Sequence, residues 1–188
     1  MSLDRQALRK HLRSQRQQLT ESEQALAAEQ VTQTFLSALA SNLPKQANLA
    51  LYLTNDGEIS PSEICKWCWA NDINVFLPVL DGQALVFARY TSDCEWQKNS
   101  FGILEPIDPN PATGSDMDQV LMPLVGFDAQ GGRLGMGGGF YDRTFEHKAE
   151  RTQLIGLAHD CQEVESLPIE SWDVPLGGIL TPSRFIPC

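Results

Sequence analysis

Short apolar runs of strand length recur along the chain: ANLALYL (47–53), INVFLPV (73–79), QVLMPLVGF (119–127), LIGLAH (154–159) and GGILTP (177–182). Runs of this kind mark strands buried on both faces of a parallel sheet. QALVFARYT (83–91) alternates instead, and Asp81-Gly82 before it signals a hairpin. Amphipathic stretches lie between the runs. Residues 1–19 predict a basic helix with Leu8 and Leu12 on its apolar stripe. Thr20 and Glu23 form a capping-box pattern that opens a second helix through about Leu39, stopped by Asn42 and Pro44. Ser60-Pro61 opens a third, PSEICKWCWAN, and a fourth is expected over about 138–149. Residues 92–118, rich in Pro, Asp, Asn and Gly, predict a long irregular connection with short pieces of structure, of the sort that is often functional. Strands alternating with helices predict an α/β protein with three layers, α/β/α, around a largely parallel central sheet.

At 188 residues the chain can bury one core without staples, so residues 1–188 are expected to form a single domain. The net charge of −10 argues against a nucleic-acid partner, whose affinity needs basic surface. No run approaches the length of a membrane span. The start, MSLDRQALRKHLRSQR, is too polar for a secretory signal, so a cytoplasmic protein with no membrane partner is expected, and a monomer.

The charge is uneven. Arg5, Arg9, Lys10, Arg13 and Arg16 face only Asp4 within the first sixteen residues. Arg5, Arg9, Arg13 and Arg16 share one helical face and repel one another mildly. That face is either solvated and paired with the acidic body, or a polyphosphate site.

Cys65, Cys68, Cys94, Cys161 and Cys188 are an odd, scattered set, poor material for a disulfide framework. Cys65 and Cys68 lack the second ligand pair that zinc needs. Ile64, Cys65, Cys68 and Trp69 fall at helical spacing, so a buried face is favoured over a redox pair. His11, His147 and His159 are too far apart for a metal triad. His159 reads better as a satisfied structural residue than as a pocket residue. The four tryptophans read as core or edge packing.

The stretch LMPLVGFDAQGGRLGMGGGFYDRTF (121–145) carries the chemistry. Six glycines fall between Gly131 and Gly139, after a strand and before a helix. Backbone N–H groups there can form an anion nest, backed by the helix dipole, and Arg133 and Arg143 bracket it. No G-K-[ST] follows, and no G-x-G-x-x-G is present, so neither a P-loop nor a dinucleotide fingerprint is supported.

GFDAQGGRLGMGGGFYDR resembles the signature of the 5-formyltetrahydrofolate cyclo-ligase family, also called 5,10-methenyltetrahydrofolate synthetases. The match runs from Arg133 to Asp142. The basic helix, LYLTNDGEI, FLPVL, FGILEP (101–106) and AHDCQ…LP…WDVPL follow in family order, over nearly the whole chain. The resemblance implies a sheet similar to the sugar-phosphate isomerase and CoA-transferase-like architecture. It also implies ATP- and Mg2+-dependent closure of 5-formyltetrahydrofolate, free or polyglutamylated, to the 5,10-methenyl compound, with ADP and phosphate released.

By family position, ATP contacts fall on Arg5, Gln6, Ala7, Leu8, Arg9 and Arg13. They fall again on Arg133, Leu134, Gly135, Met136, Gly137, Gly138, Gly139, Phe140 and Tyr141. Substrate contacts fall on Leu53, Glu58 and Phe101, and on Met136, Gly137, Gly138, Gly139 and Phe140. Apart from the resemblance, Glu58 reads equally as a cap or surface acid. Arg133, Tyr141 and Arg143 are the expected catalytic residues, although Tyr141 could simply pack. Asp142 is the expected Mg2+ carboxylate, or else a partner of Arg143 or a helix cap. Gly138 stands where some members carry Lys, and Phe140 where Tyr is common. The competing functions are a sugar-phosphate or CoA-utilising enzyme on a similar sheet, or a non-catalytic nucleotide or folate-binding module. RNA binding by the basic helix is the weakest reading.

Overall fold

The computed structural model describes residues 4–188; residues 1–3 of the expected basic helix lie outside it. In chain order the elements are α1 (Arg5–Gln17), α2 (Glu21–Ala38), β1 (Asn48–Ala50), α3 (Ser62–Ala70), β2 (Asn74–Asp81) and β3 (Ala84–Arg89). They continue with β4 (Trp96–Lys98), β5 (Leu104–Pro106), β6 (Gln119–Pro123), β7 (Gly126–Phe127), β8 (Arg133–Leu134), α4 (Phe140–Phe145), β9 (Gln153–Leu157), β10 (Gly178–Leu180) and β11 (Phe185–Pro187).

Seven strands form one sheet in the order β11-β10-β9-β6-β1-β2-β3. The five inner strands are parallel, and β11 and β3 close the edges antiparallel. Successive side chains on the inner strands feed opposite cores, as the strand period requires. Leu49, Val75, Leu77, Leu121, Ile155 and Leu180 pack with α2 and α3. Ala50, Phe76, Val120, Met122, Leu154 and Ile179 pack on the other face against Phe127 and Phe145 of α4. Helices thus flank the sheet on both sides, as expected, although α4 is short and irregular chain completes its layer.

The capping box of Thr20 and Glu23 is formed, with Glu23 N donating to Thr20 Oγ1 at 3.3 Å and Thr20 N to Glu23 Oε2 at 2.8 Å. The β2–β3 hairpin turns through Gly82 at φ +60°. Cys65 and Cys68 are buried on α3, and burial pushes both thiols up to about 12. No described helix is long and apolar enough to cross a membrane.

Two local expectations change. The run 119–127 is not one strand. Arg16 Nη1 and Gln162 Nε2 take the Leu124 carbonyl at 2.9 and 2.7 Å, so it is not free for a sheet ladder. The chain re-forms as the small β7–β8 hairpin, which leads into the glycine loop. Second, the fourth helix covers 140–145 rather than 138–149, because Gly139 sits left-handed at φ +66°. A six-residue helix contributes only a weak dipole to the glycine loop before it. The connection 92–118 carries the short pieces of structure expected of it. β4 and β5 pair, and the Asn99 side chain organises their turn, accepting from Phe101 N at 2.9 Å and Ile103 N at 3.0 Å.

The strand order reverses at β1, whose neighbours are β2 and β6. Beyond the carboxyl ends of such strands lies the crevice where open α/β sheets bind ligands.

Candidate active site

A cleft of about 1160 Å3 opens there. It exceeds the usual volume for one drug-sized ligand, roughly 300–1,000 Å3. Leu53 and Glu58 reach it from the segment after β1, and Pro123 and Leu124 from the end of β6. The glycine loop, Arg5 and Arg9 of α1, Phe101 of the β4–β5 turn, and residues 171–175 complete the lining.

The glycine loop is bent where only glycine is comfortable, at Gly137 (φ +100°) and Gly139 (φ +66°). Two arginines fasten it. Arg9 Nε donates to Gly135 O at 2.8 Å, and Arg143 Nη2 donates to Gly138 O at 2.6 Å. Arg143 also donates to Gln83 O at 2.5 Å and lies over the Phe140 ring. Its geometry is that of a loop holder.

Arg133 is different. It is buried, and its Nη2 pairs with Asp142 Oδ1, which also accepts Val174 N–H at 3.1 Å. Asp142 therefore pairs with Arg133 and not with Arg143. The buried Arg133 Nε has no hydrogen-bond partner among the described residues. An unmatched guanidinium N–H out of water is costly, on the order of 1–3 kcal/mol, unless a ligand meets it. Its neighbour is a loop whose backbone lines the same cleft.

Across the cleft, Glu58 is nearly enclosed. Burial pushes its carboxyl up from 4.5 to about 7, against the Asn55 N–H and Arg16, which favour the charged form. Asn55 N donates to Glu58 Oε2 at 3.1 Å. Tyr141 stacks on Phe145, and burial raises its hydroxyl above its ordinary range, so it remains a neutral donor. Phe101 is exposed and meets Phe140 edge-on at 6.2 Å.

Most of the expected residues converge: Arg5, Arg9, Leu53, Glu58, Phe101, Arg133, Gly135 to Tyr141, Asp142 and Arg143 all line the one cleft. Others are elsewhere. Gln6 and Ala7 are exposed on α1 away from the cleft. The side chains of Leu8 and Leu134 pack together in a small core with Leu12, Val125 and Leu167. Arg13 does not line the cleft; it pairs at 2.7 Å with Asp56, which does. The basic face of α1 is thus divided between the two readings, with two arginines at the cleft and two on the acidic body. His159 is structural; its Nε2–H bonds the Gly57 carbonyl at 3.2 Å.

Three further residues bear on the cleft: Arg16, which the sequence placed on the basic face without marking it as buried, and Asp173 and Trp172, which it did not single out for the site. Arg16 is fully buried. It donates to Asp56 O and Oδ2 at 2.8 Å each, lies 3.9 Å from Glu58 Oε1, and ties α1 to the turn bearing that carboxylate. Asp173 holds Arg5 Nη1 at 2.6 Å and lines the cleft beside Asp142. Trp172 lines it too, and is exposed.

Fold and cleft together define an α/β protein in which an arginine-fastened glycine loop and a buried carboxylate line one cleft. The model of the 5-formyltetrahydrofolate cyclo-ligase family matches residues 1–182, and the chain belongs to that family. It is 43% identical over 182 residues to the 5-formyltetrahydrofolate cyclo-ligase of Haemophilus influenzae, covering 94% of this chain and 96% of that one. It is 42% identical over 142 residues to the Escherichia coli K12 protein of the same name, covering 72% and 78%. Among solved structures it is similar to the 5,10-methenyltetrahydrofolate synthetase of Aquifex aeolicus, with a TM-score of 0.84 and 26% identity over 97% of this chain and 92% of that one. The Mycoplasma pneumoniae synthetase shares the fold, with a TM-score of 0.79 and 24% identity over 96% and 99%.

Proposed function

We propose that the protein closes 5-formyltetrahydrofolate to 5,10-methenyltetrahydrofolate at the expense of ATP, releasing ADP and phosphate. The formyl oxygen attacks the γ-phosphorus and ADP departs. N10 then attacks the formyl carbon, loses its proton, and phosphate leaves as the ring closes. The observation that carries this reading is the unpartnered buried N–H of Arg133 beside the glycine loop, in the same cleft as Glu58. Phosphoryl transfer asks for positioning and charge neutralisation rather than a protein nucleophile.

Each residue then has a task. Arg133 and the loop N–H groups hold the transferring phosphoryl group, while Arg5 and Arg9 meet the rest of the polyphosphate. Arg9 and Arg143 keep the loop in shape. Glu58 accepts from the pterin amino and ring N–H groups, and Leu53 and Phe101 cover the ring. The neutral Tyr141 hydroxyl donates to the formyl or phosphoryl oxygen.

Mg2+ fits this donor set. It binds through one or two carboxylates plus substrate phosphates, and Asp142 and Asp173 both line the cleft. No cluster of three or more ligating side chains occurs among the described residues. Bound there, Mg2+ would offset charge on the phosphates.

The test is absorbance. Protein, Mg2+ and 5-formyltetrahydrofolate are mixed with and without ATP, and the near-ultraviolet band of the methenyl product is followed. An ATP-dependent rise is expected. No rise from folded protein that binds ATP would overturn the reading in favour of a binding module or another acceptor.

Glu58 supplies a second check. Folate affinity is expected to fall as pH drops through about 7, where the carboxyl protonates and loses its charge. Glu58→Gln is expected to remove that pH step and to weaken folate far more than ATP. Equal weakening of both would count against the pterin contact. The stability effect has the opposite sign. A carboxyl raised by folding stabilises below its ordinary value, and that contribution is lost as pH rises through about 7. The ligand-free Glu58→Gln protein should therefore melt higher than the parent at pH 8.

A further inference from the structure

Three of the four tryptophans pack as the sequence predicts. Trp67 meets Phe35 edge-on at 5.7 Å, and Trp69 and Trp96 meet Tyr90 at 5.0 and 5.5 Å. Trp172 does not. It is 67% exposed and has no ring partner among the described residues. It nevertheless lines the cleft.

The turn that carries it is firmly held. Asp173 N donates to Glu170 O at 3.0 Å, and Glu170 N donates to Asp173 Oδ2 at 2.9 Å. Val174 N donates to Asp142 Oδ1 at 3.1 Å. Arg5 Nη1 bridges the Pro168 carbonyl at 2.8 Å and Asp173 Oδ2 at 2.6 Å. The indole is therefore presented on anchored backbone. A rigid aromatic ring with a free face, set beside cations, is how proteins hold a nucleobase without reading its edge.

Position decides which ring it meets. The hairpin that carries Phe101 packs on β2 and β3, on one side of the strand-order reversal. Trp172 follows β9, on the other side, and adjoins the Asp173 that holds Arg5 of α1. Glu58 follows β1, between the two. The pterin end thus has its own aromatic cover, and the end with Arg5 and Arg9 has Trp172 as its exposed ring.

We infer that Trp172 is the stacking face for the purine base of the nucleotide. The inference rests on the reading of ATP as phosphoryl donor. The base lies on the indole at the cleft mouth, and the polyphosphate runs past Arg5 and Arg9 to the glycine loop. Stacking accepts any purine, so Trp172 sets affinity for the nucleoside part more than choice among purines.

The experiment measures binding of Mg-ATP and of Mg-tripolyphosphate to the parent protein, Trp172→Ala and Trp172→Phe by calorimetry, together with the KM for 5-formyltetrahydrofolate. Tripolyphosphate carries the charge without the base. Trp172→Ala is expected to weaken ATP at least about tenfold, equivalent to about 1.4 kcal/mol. Tripolyphosphate binding and the folate KM should stay within about twofold, and Trp172→Phe should recover most of the ATP affinity. Unchanged ATP binding in Trp172→Ala overturns the inference. So does an equal loss for tripolyphosphate, which would mean that the Asp173–Arg5 anchor had moved. A raised folate KM with ATP unchanged overturns it in favour of a folate contact. A parent protein that binds no ATP would overturn the functional reading itself, before any variant is compared.

Discussion

Arg133→Ala is expected to lower turnover by about 10³-fold, the scale of losing one preorganised cationic donor at a transferring phosphoryl group. The reason lies in how the side chain is spent. Asp142 engages one arm of the guanidinium, and the buried Nε faces no protein acceptor. The second feature makes the donor available, and the first holds it in place. The fold should survive, because Asp142 keeps the Val174 N–H and the remaining cavity adjoins an open cleft. Far-ultraviolet circular dichroism and a single cooperative melt would check this beside the rate. Arg133→Lys keeps the charge but not the planar fork, and should fall between parent and alanine variant. A rate within threefold of the parent for Arg133→Ala would remove this residue from the reaction.

Arg16→Ala is expected to act on stability instead. Its guanidinium is wholly buried, and it satisfies the Asp56 carbonyl, the Asp56 carboxylate and the Leu124 carbonyl. Truncating one partner of such a buried pair costs about 3–5 kcal/mol. In a chain of this length that is roughly 6–20 °C of melting temperature. The effect should reach the site, because Arg16 braces the turn that presents Glu58, so the folate KM should rise more than the ATP KM. Arg16→Met refills the volume without the charge and should recover part of the stability but not the folate KM. If stability fell with both KM values unchanged, Arg16 would be a core residue only.

The same network sets the acid limit. The Arg13 hydrogen bond and the Arg16 pair hold the Asp56 carboxyl at about 2, against burial. A carboxyl lowered by folding stabilises above its ordinary value, and that contribution is lost as pH falls through about 2. The α1–turn clamp should therefore persist well below pH 4.

Much of the architecture could be read before any coordinate. The apolar runs marked the inner strands because a strand buried on both faces has no polar phase to hide in. Thr20 with Glu23, and Asp81-Gly82, named their cap and turn because both are satisfied within a few residues. The glycine loop declared itself by composition, and the family resemblance singled out Glu58, Arg133 and Asp142, which line one cleft.

Other features depend on partners far along the chain. Strand β6 ends early because Arg16, 108 positions away, takes the Leu124 carbonyl. Four arginines on one helical face look equivalent in sequence, yet two line the cleft and two are drawn onto Asp56, since only packing decides which acid each meets. Asp142 belongs to Arg133 rather than to its neighbour Arg143, because the β8–loop–α4 turn folds Arg133 back over nine residues while Arg143 reaches across to Gln83. Local pattern specifies which elements form and which residues are candidates. Burial and long-range charge pairing, which exist only once the sheet has closed, specify which donor is left free for a ligand.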